Sequence, residues 1–169
     1  MYLTFKKAKK TEIDRAYALF KQSAETMIEK NIDHWHYWID PPEDKQKWVK
    51  DGFKNQEFYF VENESSELVG MFRLMKEDLL YWGKQEKKAQ YIHSLVVPNE
   101  FSGLKIGHKI IEKIENDMLR NNIHLLRLDC NASNEKLCKY YTDLGFEKVG
   151  EVQMPLQVCN LYEKELHYC

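Results

Sequence analysis

The chain has 169 residues, of which 43% are hydrophobic, and a formal net charge of -2 at pH 7. This length can bury a substantial core but is short for two ordinary domains, so we expect one domain over residues 1–169. The near-neutral charge gives no electrostatic reason to expect nucleic acid or an anionic membrane as a partner. No apolar run approaches the length of a membrane-spanning helix, and no apolar signal core follows the N-terminal lysines.

These properties predict a cytoplasmic protein. The four cysteines include no C-x-x-C pair, so we expect reduced thiols, with Cys169 free at the C-terminus.

Two helices and three strands are predicted in the first part of the chain. Thr11 and Asp14 favour a helix start, and apolar residues then recur with helical spacing up to Ile28. A shorter helix follows Pro41-Pro42. Residues 58–62 and 68–75 read as a hairpin, and residues 90–97 as the next strand.

The second part continues with alternating elements. The pattern predicts a helix over 107–121, a strand over 124–130, a helix over 134–144, a strand from Phe146 and a last strand over 157–166. This order predicts a mixed α/β (α+β) fold in which helices cover a mixed sheet.

The most informative segment is residues 91–111, which read as a strand, a glycine loop and a helix. The strand ends at Pro98, the loop carries Gly103 and Gly107, and apolar residues from Ile106 onward recur with helical spacing. Such a loop presents unpaired N–H groups and the positive end of a helix dipole, which suit a pyrophosphate. It matches neither the dinucleotide fingerprint nor the P-loop.

A second block begins about thirty residues later. Asn134 is followed at fixed spacing by Leu137, Tyr140, Tyr141 and Gly145-Phe146. Together the two blocks resemble the GNAT superfamily of N-acyltransferases, over roughly residues 68–150. The resemblance implies a mainly antiparallel mixed sheet flanked by helices, acetyl-CoA (coenzyme A) as cosubstrate, and no metal.

The resemblance also assigns residues to the cosubstrate. The phosphate loop corresponds to Ser102, Gly103, Leu104, Lys105, Ile106, Gly107 and His108. Ser102 stands where the family usually has Arg or Gln. Lys105 replaces a glycine, which is tolerable if its φ is below zero. The backbone of Leu95, Val96 and Val97 is expected to polarise the thioester carbonyl.

Tyr141 is the expected proton donor to the departing thiolate, and Asn134 is expected to contact the pantetheine arm. The two lie seven residues apart, so both project from the same helix face. Alternatively, Tyr141 packs its ring and its hydroxyl group bonds to backbone. Tyr140 is interpreted as a core residue.

His93 is the candidate base that deprotonates the amine. Tyr91, His93 and Leu95 alternate onto one face of their strand, which places an imidazole near the expected amine site. The alternatives are a structural histidine, or deprotonation through water.

The acceptor is expected to contact aromatic residues outside the two motifs. Trp35 and Trp38 lie between the first two helices, and Tyr81 and Trp82 lie between strands. Two interpretations are open for each pair: it binds the acceptor, or it covers the core. Acidic residues near these segments either favour a cationic acceptor or form a solvated surface: Asp33, Asp40, Glu43, Asp44, Glu77 and Asp78. His34 and His36 lack the companion ligands of a zinc site.

The sequence therefore predicts an N-acetyltransferase that acts on a primary amine of a small molecule or peptide, by direct attack in a ternary complex. The alternative is a non-catalytic acyl-CoA-binding sensor or scaffold. A homodimer stays open.

Overall fold

The computed structural model describes residues 1–168, and the predicted free thiol of Cys169 lies outside them. The chain forms two compact units: Met1–Arg73 with Ser94–Ile110, and Leu74–His93 with the chain from Ile111 onward. That the whole chain is one domain stays a prediction. Among the described residues, no helix is both long and apolar enough to cross a membrane.

The first unit is built on an antiparallel set of strands. Strand β1 spans Thr4–Lys7, β2 Phe58–Glu62 and β3 Leu68–Met75. β2 pairs with β1 on one side and with β3 on the other. Helices α1, Ile13–Glu29, and α2, Glu43–Lys54, lie between β1 and β2 in the chain.

The core of this unit is rich in aromatic rings. Phe20 of α1 and Phe58 of β2 are fully buried, with their ring centroids 6.4 Å apart in an edge-to-face contact. Gly52 of α2 packs so closely on β2 that a Cβ there would lie 2.5 Å from Phe58 Cε2. Arg73 is buried beside them. Its charge is compensated there, because it donates two hydrogen bonds to Glu57 Oε2, at 2.8 and 2.6 Å.

β1 is the element that the sequence analysis missed. It has only four residues, with the sequence Thr-Phe-Lys-Lys, and three of them are exposed. Such a strand carries little hydrophobic periodicity, and it is defined by its pairing with β2 instead.

The remaining elements lie wholly or partly in the second unit. The structure has β4 at Gln90–Val96, α3 at Ile106–Arg120, β5 at Leu125–Asn131, α4 at Glu135–Asp143, β6 at Glu147–Gln153 and β7 at Val158–Glu165. β4 and α3 each run through both units. β4 and β5 are parallel, whereas β5 with β7 and β7 with β6 are antiparallel.

The seven strands follow the order β1-β2-β3-β4-β5-β7-β6. The predicted fold class, a mixed and mainly antiparallel sheet flanked by helices, is confirmed. β2 and β3 have the predicted bounds, and the other predicted elements agree to within a few residues.

Candidate active site

The glycine loop lies between β4 and α3. A 3-10 turn over Asn99–Phe101 follows β4, and Ser102 continues it by donating its N–H to the Asn99 carbonyl at 3.0 Å. Gly103 then has a φ of 81° and Lys105 a φ of 56°. The condition stated for tolerating lysine at position 105, a φ below zero, is therefore not met. A left-handed lysine costs about 1–2 kcal/mol, and this conformation leads the chain from the loop into α3.

Helix α3 leaves backbone donors at its start. The first N–H bonded within this turn is that of Lys109, which donates to the Lys105 carbonyl at 3.1 Å. The N–H groups of Ile106, Gly107 and His108 precede it and have no carbonyl one turn back in the helix. The side chain of Ile106 is buried, whereas Lys105 and His108 are exposed. The loop thus offers an anion three N–H groups, the helix dipole and one ammonium group.

β4 changes direction at Ser94, which has a φ of 54°. The parallel ladder with β5 ends at the pair Ile92 and Leu128, so His93 and Asp129 are the next residue on each strand. As predicted, side chains alternate between the two faces of the strand from Tyr91 to His93. The alternation does not continue to Leu95, because the left-handed backbone at Ser94 changes the direction of the side chains that follow. Leu95 and Val97 are half-buried and Val96 is buried.

His93 lies between two carboxylates. Its Nε2 is 2.6 Å from Asp78 Oδ2, and its Nδ1 is 3.5 Å from Asp129 Oδ1. The side chains of His93 and Asp129 are 10% exposed and that of Asp78 is 2% exposed. A neutral imidazole has one N–H, so it can donate to only one carboxylate, whereas the imidazolium can donate to both.

Neither carboxylate is predicted beside His93 from the sequence. Asp78 is one of several acids near the aromatic segments, and Asp129 belongs to neither motif. The available signal was an acid in the otherwise apolar run Leu125-Leu-Arg-Leu-Asp-Cys130, since an acid in a buried strand needs a partner.

Asp78 also shapes the segment that follows it. Its Oδ1 accepts the N–H of Tyr81 at 3.1 Å, and its carbonyl accepts the N–H of Trp82 at 2.9 Å. This turn places the Tyr81 ring 5.1 Å from the His93 ring. One carboxylate therefore fixes both the imidazole and the aromatic ring beside it.

Trp82 belongs to a neighbouring cluster. Its ring meets Tyr91 edge-on at 5.7 Å, and the Arg127 guanidinium lies 4.8 Å from its centroid. Arg127 in turn donates to the Tyr91 hydroxyl at 2.8 Å and to Glu163 Oε2 at 2.7 Å. The Trp82 Nε1–H is buried without a hydrogen-bond partner within residues 1–168.

Ligand atoms of Asp78, His93 and Asp129 all lie within 4.8 Å of one another, a spacing that a metal ion could bridge. The two carboxylates, however, face different nitrogens of the ring, so an ion on one nitrogen would leave the far carboxylate on the other. The arrangement fits an imidazole with one carboxylate facing each nitrogen better than a ligand set. In the histidine pair considered for zinc, His34 and His36, the His36 Nε2 lies 2.8 Å from the Ile32 carbonyl oxygen.

Asn134 begins helix α4 as its N-cap. Its Oδ1 accepts the Leu137 N–H at 3.1 Å, which satisfies one of the free donors of the first turn. Asn134 thus lies just outside the predicted helix face, and its side-chain amide NH2 is the group that remains available for a ligand.

Tyr141 is buried in the second unit, with 9% of its surface exposed. Its ring packs against Tyr140, Phe146 and Tyr162, with centroids 5.4, 5.9 and 6.2 Å away. No hydrogen bond of its hydroxyl group occurs in the part of the chain that the structure describes, residues 1–168. Burial, with smaller contributions from Cys130, Tyr140 and Asp129, raises the pKa of Tyr141 well above its ordinary value.

These contacts disagree with two interpretations from sequence. The hydroxyl of Tyr141 does not bond to backbone, which was the structural alternative. Tyr140, interpreted as core, is half-buried, so the more deeply buried of the two tyrosines is Tyr141.

Trp35 and Trp38 lie at a 3-10 turn in the first unit. Trp38 is 4% exposed and stacks on Phe20, with centroids 4.0 Å apart and an interplanar angle of 9°. Trp35, which has a φ of 63°, is half-buried and meets Phe20 edge-on at 5.9 Å. These contacts favour the core interpretation for Trp38 and leave Trp35 the more accessible of the two.

Comparison with known proteins identifies the family of the chain. The family described as "Acetyltransferase (GNAT) family" matches residues 18–146. YesJ, an uncharacterized N-acetyltransferase of Bacillus subtilis (strain 168), is 27% identical in an alignment of 112 residues that covers 63% of this chain. The match spans 61% of YesJ, so the chain covers about three fifths of the length of this curated relative.

Solved structures show the same fold. An acetyltransferase of the GNAT family from Listeria monocytogenes 4b F2365 superposes with a TM-score of 0.79 at 24% identity, over 97% of this chain and 95% of that one. Aminoglycoside acetyltransferase AAC(6')-Ib, solved in complex with coenzyme A, has a TM-score of 0.71 at 18% identity, over 97% and 95% of the two chains. The family match covers most of the chain, and the chain therefore belongs to the GNAT family of acetyltransferases.

Proposed function

We propose that this protein transfers an acetyl group from acetyl-CoA to a primary amine of a small molecule or peptide, by direct attack within a ternary complex. The observation that carries the proposal is the environment of Tyr141, a buried phenol whose hydroxyl group has no hydrogen-bond partner within residues 1–168. The hydroxyl oxygen is not itself fully buried, so it is accessible to a ligand that supplies a hydrogen-bond partner.

The loop between β4 and α3 would hold the pyrophosphate. Its N–H groups from Ile106 to His108 and the start of the helix dipole favour an anion, and the exposed ammonium of Lys105 adds a positive charge. Ser102 has a shorter side chain than the Arg or Gln usual in the family, so the backbone N–H groups would contribute more of the binding to the pyrophosphate. The coenzyme A complex of the structurally similar aminoglycoside acetyltransferase supports this assignment.

Tyr141 would stabilise the departing thiolate. Because burial raises its pKa, the phenol stays protonated at neutral pH and can act as a donor. The same shift makes it a weak acid, so donation of a hydrogen bond is favoured over complete transfer of the proton. Asn134 would hold the pantetheine arm through its amide NH2, since its Oδ1 caps the helix.

The backbone of Leu95, Val96 and Val97 would polarise the thioester carbonyl. Ser94 supports this role, because its left-handed conformation takes β4 out of regular strand geometry immediately before these residues.

Asp78, His93 and Asp129 would accept the proton of the attacking amine. A bound amine is an ammonium ion at neutral pH and must lose a proton before it can attack. An imidazole that lies between two carboxylates offers an acceptor for that proton. Their negative charge also favours a cationic acceptor, and Tyr81 beside His93 offers a ring face to it.

Replacing Tyr141 by phenylalanine tests the proposal. Free thiol released from acetyl-CoA is followed over a panel of polyamines, aminoglycosides, amino acids and peptides. We expect Tyr141→Phe to lower turnover by roughly 10²-fold or more with little change in acetyl-CoA affinity. Tyr140→Phe, which removes the neighbouring half-buried hydroxyl, is the matched control and should keep activity.

Two outcomes would oppose the proposal. A fully active Tyr141→Phe enzyme would assign the donor role elsewhere. Binding of coenzyme A without thiol release for any amine would favour the acyl-CoA-binding module.

The proton acceptor has its own test. His93→Ala and Asp129→Asn should both change the acidic limb of the pH–rate profile, whereas His124→Ala should not, since His124 bonds to the Leu166 carbonyl outside the cluster. Unchanged profiles in both variants would favour deprotonation through water.

A further inference from the structure

Two thiols lie in contact in the second unit, and neither motif uses them. The Sγ atoms of Cys130, on β5, and Cys138, on α4, are 3.5 Å apart. We propose that these two cysteines form an intramolecular disulfide when the protein meets a peroxide, and that this bond is a modification site beside Tyr141.

The local geometry needs only a small adjustment for the bond. A disulfide joins sulfurs about 2.05 Å apart, so the two atoms must approach by about 1.5 Å. The contacts of Cys138 Sγ are long, 3.6 Å to the Asn131 carbonyl and 3.5 Å to Asn160 Nδ2. α4 is a short helix of nine residues, joined to β5 through a brief turn, and can shift slightly toward the strand.

The surroundings indicate which sulfur reacts first. Cys138 is half-buried, so its sulfur lies nearer the solvent than that of Cys130. Cys130 is 5% exposed, and burial, together with its contact to Cys138, raises the pKa of its thiol. The more accessible Cys138 sulfur therefore meets the peroxide first, and Cys130 is the resolving thiol.

The reaction balances in two steps. The Cys138 thiolate attacks one peroxide oxygen and becomes a sulfenic acid, while the other oxygen leaves and is protonated to water. The Cys130 sulfur then attacks the Cys138 sulfur, the S–S bond forms, and the hydroxyl group leaves as a second water with the Cys130 proton. Two thiols are oxidised and one hydrogen peroxide is reduced to two waters.

Cys159 provides a natural comparison. It is fully buried on β7, where its Sγ receives a hydrogen bond from Gln157 Nε2 at 3.4 Å. A general sensitivity of the protein to oxidation would involve this cysteine too, whereas the proposal concerns the Cys130 and Cys138 pair.

The disulfide would also act on Tyr141. Cys138 precedes Tyr141 by three residues, so the two lie on the same face of α4. Tying Cys138 to β5 would fix this face and shift the tyrosine hydroxyl. The bond itself is independent of the proposed acetyltransferase activity; only its effect on turnover rests on that activity.

Mass spectrometry tests the bond directly. The folded protein is treated with hydrogen peroxide, free thiols are blocked, and the protein is digested with trypsin without reduction. Cleavage after Arg127, Lys136 and Lys139 places Cys130 in peptide 128–136 and Cys138 in peptide 137–139, whereas Cys159 falls in peptide 149–164. We expect peptides 128–136 and 137–139 to be joined, and dithiothreitol to separate them.

Two variants complete the test. Cys138→Ser should abolish the joined product, and Cys159→Ala should keep it. Melting provides a readout separate from turnover: oxidation should raise the melting temperature of the wild type and of Cys159→Ala, reversibly, but not that of Cys138→Ser. If Cys138→Ser does not fold, Cys130→Ala serves in its place.

Other products would overturn the proposal. A sulfinic or sulfonic acid on Cys138 beside reduced Cys130, or a joined peptide that contains Cys159, would show that the pair does not close. Loss of acetyltransferase turnover in every sample, with the joined peptides present, would count against the proposed function alone.

Discussion

Trp38→Ala separates an acceptor-binding role from a core role for this residue. Trp38 is 4% exposed and stacks face to face on the fully buried Phe20, 4.0 Å away. Removing the indole deletes this contact and leaves a cavity, and large-to-small changes of this kind cost about 3–5 kcal/mol. We therefore expect a strongly destabilised protein that still binds acceptor.

The expected shift in melting temperature follows from the chain length. Unfolding entropy is about 2.1 cal/mol/K per residue, which over 169 residues gives about 0.35 kcal/mol/K. A loss of about 3–5 kcal/mol then lowers the melting temperature by about 8–14 °C. Circular dichroism melts at pH 7 measure this shift, and thiol release well below the transition gives the acceptor KM.

Trp35→Ala is the matched control. This tryptophan is half-buried, and its contact with Phe20 is edge-on. Its replacement should lower the free energy of unfolding by about 1–2 kcal/mol. If either tryptophan contacts the acceptor, it is Trp35, and its replacement would raise the acceptor KM. A Trp38→Ala protein that melts like the wild type but has a raised acceptor KM would refute the core assignment.

Three further predictions concern packing, the phosphate loop and pH. In urea titrations, Gly52→Ala should lower the free energy of unfolding by about 1–3 kcal/mol, because the alanine Cβ would lie 2.5 Å from Phe58 Cε2. This loss should exceed the gain from alanine's higher helix propensity, and a more stable variant would contradict the prediction. Gly107→Val should weaken coenzyme A binding by roughly tenfold in calorimetry, and equal affinities would remove the phosphate-loop interpretation. Burial raises the pKa of Tyr162 to about 12, so its contribution to stability is complete below pH 10 and is lost as the pH rises toward 12. Urea midpoints should therefore fall over this range, and less steeply in Tyr162→Phe; parallel curves would assign the loss to other groups.

The helices and most strands were predictable because their signals are local. α2 begins directly after Pro42, at Glu43, and the turn between β2 and β3 is held by Asn63, whose Oδ1 accepts the N–H groups of Ser65 and Glu67 at 3.0 Å each. Hydrophobic periodicity and turn chemistry lie within a few residues of the positions that they specify. The family motifs are equally local, which is why the loop and α4 could be identified from spacing.

The candidate site was only half predictable. Spacing singled out His93 and Tyr141, but Asp78 and Asp129 lie 15 residues before and 36 residues after His93, and only the turn at Asp78 and the parallel pairing of β4 with β5 bring them to it. The periodicity of a single segment cannot predict that these carboxylates contact His93.

The sequence by itself determined the order of nearly all the elements, the family and the two motif-bearing segments, since these depend on patterns read within short stretches of chain. Tertiary structure decided the rest. It made a strand of Thr4–Lys7 by pairing it with β2, and it buried Trp38 by stacking it on Phe20. It also set Lys105 in a left-handed conformation. Each of these outcomes depends on which distant segments meet and how the chain turns to reach them, and that is fixed by packing rather than by the local pattern.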